Sequence, residues 1–210
     1  MKRNLENISL KKVGFLPLFF FGLTCFREIH EKTPDNIFWM CHLSFLLLAI
    51  GLFFERATLI RVAAGAIIVG IPFFFLDLVV GEEKSLISLV FHLAGLGIAF
   101  FSLWRVGVRQ GLWMACMLWY FFTQLLSRLF THPSFNVNVA FQIYSDAALG
   151  FKNYWSYWLF VSFLGALMFW CLEKMWMRIF PNRVEFVPAT MAVPDSDRFK
   201  GEEAFQNGKG

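Results

Sequence analysis

Residues 58–80 read TLIRVAAGAIIVGIPFFFLDLVV, and in this stretch only Arg61 and Asp77 carry charge. A helix rises 1.5 Å per residue, so this run reaches about 35 Å, enough to cross a hydrocarbon core about 30 Å thick. Working outward in both directions, further apolar runs follow the same rule: 37–54, 85–104, 112–130 and 154–172, with a shorter one at 13–26. The composition agrees. Hydrophobic residues make up 58% of the 210-residue chain and charged residues 16%, where a soluble domain carries about 25% charged. That apolar content excludes intrinsic disorder, and four cysteines are too few for a disulfide scaffold. The fold class is all-α, a polytopic membrane protein with a six-helix bundle over residues 1–180. Beyond Pro181 the chain turns polar, and residues 181–210 read as a disordered tail.

The net charge of +4 sits in short segments between apolar runs. Basic residues placed that way report topology, not a nucleic-acid partner. The run at 13–26 has a basic lead (Lys2, Arg3, Lys11, Lys12) but no small-x-small cleavage site behind it, so it reads as an uncleaved first span extending toward Ser9 and Arg27. With six spans, 14 of the 19 Lys and Arg fall on the side of the two termini, and 5 (Arg27, Lys32, Lys84, Arg128, Lys152) on the other. The positive-inside bias then puts both termini in the cytoplasm.

Ionisable groups at membrane depth are costly and rarely face lipid, which makes them the informative positions. In this topology Cys41 and His42 begin the second span and His92 lies early in the fourth, on the order of 6–10 Å below the outer boundary. Asp77 is three residues from the outer end of the third span. The loop at 131–153 is on the same side and carries His132, Asn136, Asn138, Tyr144, Ser145 and Asp146. A thiol, imidazoles, a carboxylate and amides therefore gather at one level, toward the non-cytoplasmic leaflet. Each has a plainer reading. A membrane cysteine is usually a small apolar filler, as Cys25, Cys116 and Cys171 read here. Asp77 also fits as a cap in head-group water, and Asn136 and Asn138 as turn residues. Arg61 fits as a side chain snorkelling to the cytoplasmic interface. The pairs Ala66/Gly70 and Gly95/Ala99 read as helix packing. Trp39, Trp104, Trp113, Tyr154, Trp155 and Trp158 read as an interfacial aromatic belt.

A nearby imidazole can take a thiol proton, and the thiolate then attacks an ester carbonyl. A competing chemistry is haem ligation by His42 and His92, two imidazoles at similar depth on two helices. Carboxylates are too few for a di-metal site, and P-loop, GxSxG, HExxH and CxxC motifs are absent. No metal and no cofactor is expected on the acyl-transfer reading. A small transporter is a weaker option, since neither inverted repeats nor paired Gly/Pro-broken helices are visible and Pro72 alone interrupts the third span.

Three ordered features resemble one family: Met40-Cys41-His42-Leu43 opening the second span, the lone imidazole in Leu89-Val90-Phe91-His92-Leu93, and Phe135-Asn136-Val137-Asn138 followed by Ser145-Asp146 and Tyr154-Trp155-Ser156-Tyr157-Trp158. Over roughly residues 36–172 the chain resembles the integral membrane proteins that include the animal ether-phospholipid acyltransferase transmembrane protein 164 and the bacterial YwaF-like proteins. The resemblance implies acyl transfer through a cysteine thioester, with Cys41 as nucleophile and His92 as its partner. The resemblance assigns the shared Asn136-Val137-Asn138 loop no role; from their common depth, Asn138 or Asp77 is the candidate orienter, His42 and Asn136 are supporting groups, and a phospholipid or lysophospholipid is the expected partner molecule. The chain departs from the family at Met40, where proline is expected in the animal member, and in its compact N terminus.

Overall fold

A computed structural model describes residues 9–80, 86–143 and 150–180. Among these residues the chain is entirely helical, with six α-helices: α1 Leu10–His30, α2 Met40–Phe53, α3 Ala57–Val80, α4 Leu86–Val106, α5 Leu112–Phe130 and α6 Tyr154–Ile179. Four of them, α1, α3, α4 and α6, are long and apolar enough to cross a membrane; α2 is apolar but shorter. The polar tail expected at 181–210 lies outside the described residues.

Helix ends differ from the sequence reading for local reasons. The run at 37–54 does not start as one helix: Pro34–Phe38 forms a 3-10 turn, and α2 begins only at Met40, so Cys41 and His42 sit in its first turn. α1 and α2 both close with the two backbone bonds of a Schellman motif. Thr33 N–H bonds Glu28 O and Lys32 N–H bonds Ile29 O; Arg56 N–H bonds Gly51 O and Glu55 N–H bonds Leu52 O. The left-handed position is filled by Lys32 (φ 60°) and Glu55 (φ 52°), where glycine is usual. Pro72 does not interrupt its helix, and α1 runs through Pro17 in the same way.

α3 is the hub. Sixty-one per cent of its apolar window is buried, against 22% for α1 and 17% for α6. Successive helices α1 to α4 pack as antiparallel neighbours, while α5 lies against α3 and carries α6. Phe45 of α2 meets the α4 backbone at Gly95, where a Cβ would come within 2.4 Å of its ring. Phe20 of α1 touches both Phe45 and Phe91. Cys116 of α5 fits against Gly65 of α3, its sulfur 2.9 Å from where a Cβ would stand.

Hydrogen bonds define the two ends of the bundle. At one end Arg61 does not snorkel outward. It is buried and donates to Val106 O (2.7 Å) and Gly107 O (2.9 Å), closing the C-terminus of α4. Glu173 of α6, buried too, accepts the Trp113 N–H in the first turn of α5 (3.0 Å). The other end holds the C-termini of α1 and α5 and the N-termini of α2 and α6, and it carries the polar residues of interest.

Candidate functional site

The site begins at the end of α1. Glu28 is only 1% exposed. Its carboxylate accepts from the Arg27 guanidinium and from Thr33 Oγ1 (2.9 Å), and Thr33 O in turn accepts the Asn36 N–H (3.0 Å). Arg27 also reaches Glu31 at 4.0 Å. A buried carboxylate is stable only with such a set of partners, and these tie the end of α1 to the turn that follows it.

Asn36 passes this order on. Its backbone oxygen accepts a hydrogen bond from His42 Nδ1 at 2.8 Å. A carbonyl only accepts, so Nδ1 carries the proton and Nε2 is the basic nitrogen of His42. His92 of α4 repeats the arrangement: its Nδ1 donates to Ser88 O at 2.8 Å, one turn back. The His92 ring lies flat on Phe74 of α3, centroids 3.8 Å apart and planes 9° apart. Both imidazoles are buried.

Cys41 and His42 leave α2 in different directions, as adjacent residues on a helix must. Cys41 faces α3, with its Cβ 3.8 Å from where a Cβ on Gly70 would stand. Gly70 and Phe74 are four apart and share one face of α3. Cys41 and His92 thus abut the same stripe of α3, one turn apart. His42 turns toward a different group. Its Nδ1 is directed to the Asn36 carbonyl.

The loop after α5 holds the start of α2 from the other side. Asn138 Oδ1 accepts the Met40 N–H (2.8 Å), one of the N–H groups that a helix start leaves without an internal partner. Asn138 Nδ2 donates to Phe38 O (2.8 Å) and Ser127 Oγ (2.9 Å), and Gln124 Nε2 donates to Asn138 O (2.9 Å). Asn136 organises the loop itself, accepting the N–H groups of Phe141 and Gln142 at 3.0 Å each. Both asparagines are left-handed (φ 46° and 56°), a conformation that asparagine adopts more readily than other side-chain-bearing residues. Val139 is left-handed too (φ 57°), a strained conformation for a β-branched residue. His132 is exposed in the same loop, where its N–H meets Asp35 Oδ2 at 2.5 Å.

Asp77 falls in the last turn of α3, and its side chain lies outside the described residues, as do Tyr144, Ser145 and Asp146. Among the described residues no group of three or more His, Cys, Asp and Glu is placed to hold a metal.

Sequence reasoning missed Glu28, Asn36 and Gln124. Glu28 stands beside Arg27 just past an apolar run, where a charged pair looks solvated. Only the return of the chain through Thr33 and Asn36 buries it. Gln124 shares one face of α5 with Thr123 and Ser127, all buried. That polar stripe at helical spacing inside an apolar run was the available signal. Chemically, the arrangement offers two imidazoles whose Nδ1 is committed to a backbone carbonyl, leaving Nε2 available, and a thiol bordering the same helix face as one of them. No family model, curated protein or solved structure matches the chain.

Proposed function

We propose that the chain is a six-span membrane protein with both termini in the cytoplasm, and that it moves acyl chains of phospholipids near the non-cytoplasmic leaflet, as an acyltransferase or lipid hydrolase. Cys41 is the nucleophile and His92 the base. The observation that supports this reading is the shared stripe of α3: Cys41 borders Gly70 and His92 stacks on Phe74, one helical turn away. The resemblance to the transmembrane protein 164 and YwaF-like family points to the same two residues.

In this mechanism His92 Nε2 takes the thiol proton, and Sγ attacks the ester carbonyl carbon. The C–S bond forms, the C–O bond to the glycerol breaks, and the departing lyso-lipid oxygen recovers the proton from His92. His92 then takes the proton of a second lyso-lipid hydroxyl or of water as that oxygen attacks the thioester; the new C–O bond forms, the C–S bond breaks, and the released Cys41 sulfur recovers the proton from His92. Asn138 fixes the first turn of α2 and so the direction of Cys41.

The test is acyl exchange between phosphatidylcholine vesicles and a labelled lysophosphatidylcholine, with the protein reconstituted in the vesicles. Cys41→Ala is expected to abolish exchange and the hydroxylamine-sensitive acyl adduct. Undiminished transfer by that variant rejects the mechanism.

A second reading has its own observation. Both His42 and His92 are buried and commit Nδ1 to a backbone carbonyl, which leaves Nε2 as the ligating nitrogen, the usual posture of a metal-bound imidazole. Haem held between them gives the purified protein a Soret band, which His42→Ala or His92→Ala removes. A colourless protein labelled at Cys41 favours acyl transfer.

A further inference from the structure

At the end of the bundle that carries the polar loop, one cation stands apart from the chemistry above. Arg128 lies exposed in the last turn of α5, with Tyr154 and Trp155 of α6 beside it. We propose that Arg128, walled by Trp155 and Tyr154, holds the phosphate of a membrane phospholipid whose acyl chains lie along the exposed apolar flank of α5 and α6.

The guanidinium is fixed by the protein on one edge only. Its Nε donates to Ala140 O at 2.9 Å and its Nη2 to Tyr154 Oη at 2.7 Å. Tyr154 Oη in turn lies 2.9 Å from the same Ala140 carbonyl, so the three groups close on one another. Nε and Nη2 share one edge of the planar group. A guanidinium has five N–H donors, and those on the outer fork of Nη1 and Nη2 are not spent by these two bonds. Among the described residues no carboxylate pairs with Arg128. The outer fork therefore presents two parallel donors and a positive charge, the pattern that matches two oxygens of a phosphate. The aromatic walls hold the plane of the group without using an N–H: its central carbon is 5.4 Å from the Trp155 ring centroid and 5.8 Å from that of Tyr154. A basic residue in a last helical turn also suits the helix dipole, and Nε clamps the loop, but both of these uses leave the outer fork unspent.

The surroundings select a lipid over a soluble anion. Leu125 and Leu129 on α5, and Leu159 one turn along α6 from Trp155, are all exposed. The apolar flank thus begins beside the guanidinium. A soluble phosphate gains nothing from such neighbours, whereas a phospholipid sets its phosphate at the level of interfacial arginine and tryptophan and its chains against the leucines. The site goes beyond the acyl-transfer reading and rests only on the membrane setting of α5 and α6.

The experiment is native mass spectrometry of the full-length protein in detergent, titrated with phosphatidylcholine or with a diacylglycerol bearing the same chains. The wild type is expected to bind its first phosphatidylcholine about tenfold more tightly than the diacylglycerol, which lacks the phosphate. Arg128→Gln is expected to bring the two lipids level. Trp155→Leu keeps both bonds of Arg128 and removes one wall, and the preference is expected to fall about threefold. Arg178→Gln, an exposed charge in the last turn of α6 at the opposite end, is expected to change nothing. Glycerophosphocholine, the same head group without chains, is expected not to displace the lipid. Equal binding of the two lipids by the wild type overturns the proposal. So does an unchanged preference in either Arg128→Gln or Trp155→Leu, and the second variant decides if the first fails to fold. A comparable loss in Arg178→Gln, which marks general charge attraction, or displacement by glycerophosphocholine, which marks a head-group site without a lipid, overturns it too. Full acyl exchange by Cys41→Ala rejects the acyl-transfer reading separately and leaves these lipid preferences standing.

Discussion

Asn138 uses both atoms of its side-chain amide to imitate a strand partner for the stretch Phe38–Met40, accepting one backbone N–H and donating to one backbone carbonyl. Asn138→Ala strips both partners at a buried position, a loss of about 1–3 kcal/mol, and also forces a Cβ-bearing residue without a polar side chain to keep φ 56°. Asn138→Gly relieves the backbone but not the lost bonds. Thermal unfolding in detergent is expected to rank wild type above Asn138→Gly, and Asn138→Gly above Asn138→Ala. His92→Phe tests a different property. It keeps a flat ring on Phe74 and loses only the bond to Ser88 O, so stability falls by about 1 kcal/mol while acyl transfer falls roughly 100-fold or more. An active His92→Phe rejects the base assignment. These residues also show how far the site was legible. Cys41, His42 and His92 stand out from sequence because a polar group in an apolar run is rare and costly, and Asn136 and Asn138 because two asparagines bracket one residue. Their partners do not stand out. Asn36, Ser88 and Phe38 contribute backbone carbonyls, which every residue has, and Glu28 gains its role from where the chain returns.

Helix packing in this bundle is decided by a few glycines whose surroundings differ sharply. A Cβ on Gly95 would meet Phe45 at 2.4 Å, whereas one on Gly97 meets nothing within 4 Å. Gly95→Ala therefore forces Phe45 or the α2–α4 spacing to shift, costing about 1–3 kcal/mol, while Gly97→Ala gains about 0.5–1 kcal/mol by restricting the unfolded chain. Chemical or thermal unfolding of the two variants, run side by side, is expected to move the midpoint in opposite directions; equal shifts contradict the close α2–α4 approach. The same pattern explains which elements were readable. Gly95/Ala99 and Ala66/Gly70 were legible as packing pairs because small residues at helical spacing admit a neighbour, and Gly70 indeed receives Cys41. The helix bodies were legible from apolar length. Their ends were not. α6 runs on to Ile179 because Glu173 and Trp176 turn inward, and a buried glutamate looks polar in sequence. The start of α2 is delayed by Pro34, whose ring suits the first residue of a tight turn, and by outside hydrogen bonds from Asn138 that local pattern does not encode.

Viewed as one body, the molecule has a hub helix, two chemically distinct ends and an apolar flank. Phe15, Phe19 and Phe26 on α1, Leu118 and Leu129 on α5, and Phe163 and Trp170 on α6 are all exposed. A soluble protein rarely shows apolar area on that scale, and hydrocarbon is the solvent in which it costs nothing. The ends follow from antiparallel packing. One carries Lys32, Asp35 and His132; the other carries Arg109, Gln110 and the C-terminal part of α6, with Val108 N–H bonded to Phe180 O at 2.9 Å. On the proposed six crossings, the positive-inside bias puts the first end outside and the second in the cytoplasm. Single cysteines test this in a background with the native cysteines replaced by serine. In intact cells a membrane-impermeant maleimide is expected to label His132→Cys and Lys32→Cys, both exposed loop positions, and to reach Arg109→Cys and Gln110→Cys only after the membrane is opened. Labelling of the latter pair from outside inverts the orientation and moves the Cys41–His92 level to the cytoplasmic leaflet. Labelling of all four from one side shows that neither the short α2 nor the polar-striped α5 crosses, and the six-span arrangement falls with it.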